Sequence, residues 1–242
     1  MIVEVCASSL KSALIAQSTG ADRIELCTAL GVGGLTPSYG LLKQVKEQIS
    51  IPVHVLIRPR MGDFTYSDHE FQMMLSDIEL VKSMGFKGVV SGVLNPDFTI
   101  DVNRTKELIK AASGMTFTFH RAFDWVENPE LALKELERLG VDILLSSGQQ
   151  SKAIEGISLL ERLQLQTSSI VIMPGSGIND SNVLEFERTG FKAIHLSGVV
   201  AEHKIDLTDK VAMSSPSMLQ DNQSYETSSI VLNSVQKALG KS

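Results

Sequence analysis

Glu25, His120 and Asp124 are the residues of this 242-residue chain best suited to moving a proton. The run His120-Arg121-Ala122-Phe123-Asp124 offers an imidazole that changes charge near neutral pH, with a carboxylate close by that could orient it. In Arg58-Pro59-Arg60, a rigid proline separates two guanidiniums, a spacing that suits a bidentate grip on phosphate or carboxylate. The structural alternative is a loop staple in which either arginine pairs with Asp63. Downstream, Gly175-Ser176-Gly177 is a small-residue loop that leads into a helix start, a place where anions bind, although the same residues also make a plain turn. His195 and the thiols of Cys6 and Cys27 complete the candidate set.

These residues have to be placed by regular elements, and a repeat supplies them. Gly20-Ala21-Asp22-Arg23-Ile24-Glu25-Leu26-Cys27 aligns without gaps on runs that begin at Gly85, Gly140 and Gly190. Each glycine is expected just past a helix, where a left-handed residue costs least, with a strand following. Four copies imply four units of two strand–helix pairs. The spacing predicts strands over residues 2–6, 23–27, 53–58, 88–92, 116–120, 143–147, 170–174 and 193–197. Helices follow, capped at Ser8 or Ser9, at Thr36 or Ser38, at Ser67 or Asp68 and at Asp101, then over residues 129–139, 151–163, 180–188 and 226–239. Eight alternating strands and helices predict a single-domain (β/α)8 TIM barrel over residues 1–242. A long loop, residues 199–225, separates the eighth strand from the last helix. It is expected to be either a mobile excursion or a lid or oligomer contact.

Strand parity decides what faces the lumen. The outer face of a barrel strand must be apolar to pack on its helix, which turns Glu4, Cys6, Arg23, Glu25, Cys27, His54, Leu56, Arg58, Thr118, His120, His195 and Ser197 inward, with Ser147 at the rim. Arg23 lies at the bottom of the barrel, and its structural reading is a pair with Glu4. Glu25, His120 and His195 lie toward the carboxyl ends of the strands, where active sites of this fold gather. Cys6 and Cys27 end neighbouring strands about 4.8 Å apart, close to the span of two metal–sulfur bonds of about 2.3 Å. A soft ion such as Cu(I) fits such a pair. So does a disulfide, and so do two buried thiols that act as small hydrophobes.

Composition narrows the partners. A net charge of −6 and no Lys/Arg run argue against a nucleic-acid surface. No stretch is apolar enough to predict a membrane span, and the N-terminal residues lack the basic region of a signal peptide. Two cysteines are too few for a disulfide framework, so reduced thiols and a cytoplasmic location are expected.

The strings Glu4-Val5-Cys6, Gly20 to Cys27, Gly33-Gly34-Leu35-Thr36-Pro37-Ser38, Ile57-Arg58-Pro59-Arg60, Gly62-Asp63-Phe64, Tyr66-Ser67, Thr118-Phe119-His120-Arg121-Ala122-Phe123-Asp124 and Met173-Pro174-Gly175 resemble the CutC family, named for copper homeostasis. The resemblance runs in order over residues 2–198. It implies a cytoplasmic, oligomeric TIM barrel associated with copper tolerance, with copper proposed to bind at cysteines that match Cys6 and Cys27. Beyond Ser197 the chain departs from the family, which carries an Arg-containing rim and a Phe-Arg-Asn-like motif there. Here Gly198-Val199-Val200 and Ile205-Asp206-Leu207-Thr208 stand instead, so no role of those loop groups carries over. Two functions are thus expected: Cu(I) binding at Cys6 and Cys27, or a lyase-, isomerase- or hydrolase-type enzyme. In the second, Arg58, Arg60, Gly175, Ser176, Gly177 and His195 would hold a small anionic or phosphorylated metabolite, and Glu25, His120 and Asp124 would move protons.

Overall fold

A computed structural model describes residues 1–202, 206–207, 209–211, 213 and 224–241. The strands are β1 (Ile2–Ala7), β2 (Arg23–Leu26), β3 (Val53–Leu56), β4 (Gly88–Ser91), β5 (Thr116–Phe119), β6 (Ile143–Ser146), β7 (Val171–Pro174) and β8 (Ala193–Leu196). Between them run the helices α1 (Leu10–Ser18), α2 (Tyr39–Gln48), α3 (Asp68–Ser83), α4 (Val102–Ala111), α5 (Pro129–Leu139), α6 (Ile157–Gln166) and α7 (Val183–Arg188). The hairpin strands β9 (Val199–Glu202) and β10 (Ser224–Thr227) precede the last helix, α8 (Ser229–Ala238). The eight barrel strands are parallel in the order β7-β6-β5-β4-β3-β2-β1-β8, and a bridge between Gly175 and His195 brings β7 against β8. The architecture is the (β/α)8 barrel.

Local chemistry explains why the helices start where they do. Ser9, Ser38, Ser67 and Asp101 each accept a backbone N–H from the first turn, and Ser67 forms a reciprocal capping box with Glu70. The repeat glycines end the preceding helical segments with φ of +80°, +76°, +82° and +83° at Gly20, Gly85, Gly140 and Gly190. Outward residues such as Val3, Val5, Ile24, Leu26, Val55, Val89, Phe117 and Ile194 are buried in one core with the helices. Inward residues form separate groups: Cys6, Cys27, Leu56 and Val90 on one side, and Ile143, Leu145, Met173 and Ala193 on the other. Buried Glu4, Arg23, Glu25 and His54 make the lumen polar toward β1, β2 and β3, while Ile143, Leu145 and Met173 make it apolar toward β6 and β7.

Three segments differ from the expected pattern. Helix α6 begins at Ile157 rather than at residue 151, because the chain first turns so tightly that a Cβ on Gly148 would lie 2.3 Å from the Gly156 carbonyl oxygen. Helix α7 begins at Val183, after the Asn179–Asn182 turn. The expected loop 199–225 opens and closes as the antiparallel strands β9 and β10. Glu226, expected at a helix start, lies on β10 and accepts the hydroxyl protons of Ser9 and Ser12, each at 3.0 Å. Residues 203–205, 208, 212 and 214–223 of that loop lie outside the described residues.

Candidate active site

Parallel pairing sets the lumen chemistry. The register places Glu4 beside Arg23 on β2 and His195 on β8, and Cys6 beside Glu25. Glu4 is fully buried and bonded on both sides: Arg23 Nε donates to it at 2.5 Å, and His195 Nδ1 lies 2.8 Å away. Burial alone would raise its pKa. The His195 hydrogen bond and the charges of Arg23 and His195 outweigh that and hold it at about 2. Burial works against a charged His195, but the carboxylates of Glu25 and Glu4 prevail and raise its pKa. The expected Glu4–Arg23 pair is thus one of two pairs in a three-residue ionic base to the lumen.

Above it lie the thiols. Cys6 Sγ is 3.4 Å from Cys27 Sγ and donates to Glu25 Oε1 at 3.5 Å, and both cysteines are free. The bond to Cys27, burial and the Glu25 carboxylate push the Cys6 thiol well above its usual range. Cys6, Glu25 and His195 each offer a ligand atom within 4.8 Å of the others. Glu25 itself is buried, and desolvation raises its pKa. Its Oε2 has no hydrogen-bond partner among the described residues.

A cavity of about 580 Å³ opens over this cluster at the carboxyl ends of the strands. Its polar lining includes Cys6, Glu25, Arg58, His120, Arg121 and His195, and Phe64, Trp125, Leu30 and Ile178 supply apolar wall. Arg58 is 6% exposed. Its guanidinium donates to the carbonyls of Val32, Gly34 and Gly62 at 2.8–3.0 Å and lies 5.1 Å from the Phe64 ring centroid. The expected glycine-rich loop is what wraps it. Gly34 has φ +85°, and a Cβ there would meet Leu56 at 2.7 Å. Arg58 has no carboxylate partner among the described residues.

Arg60, expected to share the anion grip, is turned away from the cavity. It donates to Glu70 at 2.6 Å and to Asp63 at 3.0 Å, and lies over Tyr66, so the staple alternative describes it. Asp124 likewise does not orient His120. Its oxygens accept from Ser146, Ser147, Gln149 and Arg121, tying the segment after β5 to the loop after β6. Ser147 is fully buried in this knot rather than at an open rim. The group that does orient His120 is the Ala122 N–H, which donates to Nδ1 at 3.2 Å.

Ser176 and Gly177 line the cavity, with φ of +91° and +70°. Gly175 lies behind them in the bridge to His195, where a Cβ would meet Leu145 at 2.5 Å. Residue types gave no reason to single out Arg121, Phe64, Trp125 or Val231 as lining groups. Adjacency to His120 is the signal that could have found Arg121; Val231 comes from α8 and carries none.

The thiol pair can be tested against copper. Two metal–sulfur bonds of about 2.3 Å in line would span about 4.6 Å. Sulfurs 3.4 Å apart suit a bent arrangement that needs a third donor. Glu25 and His195 both offer a donor atom within 4.8 Å of Cys6, and Glu4 engages His195 Nδ1 in the manner of a carboxylate behind a metal-binding histidine, although that histidine would first have to give up its other ring proton.

The CutC family model matches residues 1–200. A family protein CutC of Salmonella paratyphi A (strain ATCC 9150 / SARB42) is 47% identical over 199 residues, covering 82% of this chain and 80% of that protein. One from Enterobacter sp. (strain 638) is 48% identical over 196 residues, covering 81% and 79%. The solved CutC of Streptococcus agalactiae, described in terms of copper homeostasis, superposes with a TM-score of 0.77 at 32% identity, covering 81% of this chain and 98% of that one. The 3-hexulose-6-phosphate synthase of Salmonella typhimurium shares the fold alone, with a TM-score of 0.60 at 16% identity over the whole of both chains. By sequence match and by barrel, the chain belongs to the CutC family.

Proposed function

We propose that this barrel is an enzyme, of lyase or isomerase type, that takes a small anionic metabolite at its mouth and moves a proton with Glu25. One observation carries the reading. Among the described residues, a buried cation without a carboxylate partner, Arg58, lines the same cavity as two buried polar atoms without hydrogen-bond partners, Glu25 Oε2 and His120 Nε2. An unpaired buried polar atom costs about 1–3 kcal/mol, and a buried charge costs more. An anionic ligand offsets that cost, because it supplies charge for Arg58 and hydrogen-bonding groups for the other two. Burial raises the Glu25 pKa, which makes its carboxylate a stronger base. A raised His195 pKa favours the charged imidazolium beside it.

Incubation in D2O with phosphorylated and carboxylated three- to six-carbon compounds tests this, followed by NMR for loss of a carbon-bound proton signal. Exchange should occur for at least one compound and be lost in Glu25→Gln with binding retained. If none of the compounds binds or exchanges, the proposal is wrong.

A second reading rests on the sulfurs. Cys6 and Cys27, with Glu25 and His195 close to Cys6, would hold Cu(I) as cargo, in keeping with the copper name of the Streptococcus agalactiae relative and with a cytoplasm that keeps thiols reduced. The ion would have to displace a proton from a thiol that the bond to Cys27 and burial make hard to ionise. Anaerobic titration with Cu(I) against a competing chelator decides this. Stoichiometric binding should vanish when Cys6 and Cys27 are both changed to Ser; binding indifferent to the cysteines removes the reading.

A further inference from the structure

We propose that His120 presents a fixed Nε2–H to a carbonyl oxygen of the substrate, so that the anion accepted by this site is a small carbonyl compound. The inference deepens the enzyme reading above and rests on it.

The tautomer follows from geometry. The Ala122 N–H can only donate, so Nδ1 of His120 must offer its lone pair. A neutral ring then carries its proton on Nε2. That nitrogen is buried with no partner among the described residues, and the ring lines the cavity. The ring is clamped: Phe64 lies 4.9 Å from its centroid and Phe119 6.1 Å, and the Gly92 backbone passes so close that a Cβ there would meet Nδ1 at 2.7 Å. Burial, then the charge of Arg58, lowers its pKa to about 3, so the ring stays neutral at physiological pH.

A neutral donor held this way cannot give up a proton as an imidazolium would. What it can do is hydrogen-bond an oxygen whose charge grows during the reaction. Phosphate or carboxylate oxygens are served better by the guanidiniums of Arg58 and Arg121, which line the same cavity. A carbonyl next to the carbon that loses its proton is the acceptor that gains most from a preorganised neutral donor.

The test compares probes that differ only at the carbonyl: dihydroxyacetone phosphate against glycerol 3-phosphate, and pyruvate against lactate, titrated calorimetrically. The wild type should bind at least one ketone about tenfold or more tighter than its alcohol. His120→Phe should abolish the preference, and His120→Gln, which keeps an N–H donor, should retain part of it. Equal binding of ketones and alcohols overturns the carbonyl inference and leaves the enzyme reading standing. A preference that survives in His120→Phe overturns the role of His120. If neither pair binds while other anions in the exchange screen do, the carbonyl class is wrong; if no anion binds at all, both readings fall. Should His120→Phe not fold, long-range proton–nitrogen NMR of the wild type decides the tautomer: a protonated Nδ1 between pH 5 and 8 overturns the inference.

Discussion

Replacing Glu4 by Gln tests the ionic base of the lumen. Glu4 is fully buried, and its pKa lies at about 2 against an ordinary value of 4.5. That difference corresponds to about 3 kcal/mol of stability at neutral pH. The cost of leaving one partner of a buried ion pair alone, about 3–5 kcal/mol, agrees with it. Because the folded pKa is depressed, this stability is present in full above the unfolded value and is lost as pH falls toward about 2. Glu4→Gln should therefore be less stable than wild type by ~3 kcal/mol at pH 6 and by roughly half that or less at pH 3. Urea unfolding of both proteins at the two pH values measures the gap. In the wild type the window lies below the range in which His195 loses its charge, since the His195 pKa is raised from 6.5, partly by Glu4 itself. A gap that does not change between pH 6 and pH 3, or one below ~1 kcal/mol throughout, would show that Glu4 is not held ionised by Arg23 and His195.

Two further substitutions separate the site from its supports. Gly92→Ala places a Cβ 2.7 Å from His120 Nδ1; it should tilt the ring, destabilise the fold by about 1–3 kcal/mol and weaken carbonyl-probe binding about tenfold or more. Calorimetric titration checks this, and wild-type affinity would count against the clamp. Arg60→Ala removes the bonds to Asp63 and Glu70 and should cost about 1 kcal/mol or less in urea unfolding. Anion affinity in this variant should stay within about threefold; a larger loss would return Arg60 to the site.

Periodicity alone carried the barrel. Gapless glycine repeats, cap residues and inward–outward parity are local or short-range signals, and they located the eight strands, the caps at Ser9, Ser38, Ser67 and Asp101, and the inward set Glu4, Cys6, Arg23, Glu25, His54 and His195. The close approach of Cys6 and Cys27 was also legible, because neighbouring parallel strands have fixed spacing.

Loop side chains were a different matter. Arg58 and Arg60 are two residues apart and chemically alike, yet one lies against the cavity, wrapped by the carbonyls of Val32, Gly34 and Gly62, while the other is drawn outward by Glu70 ten residues on. Asp124 lies four residues after His120, but Ser146 and Ser147 of the next strand unit hold it. Residue type and sequence separation determined which groups are available and which face of a strand they occupy. Only the tertiary structure decided which were already satisfied, because their partners come from segments whose approach no local pattern encodes. That division left Arg58, Glu25 and His120 each with a buried atom that has no hydrogen-bond partner among the described residues, and Arg60 and Asp124 paired elsewhere.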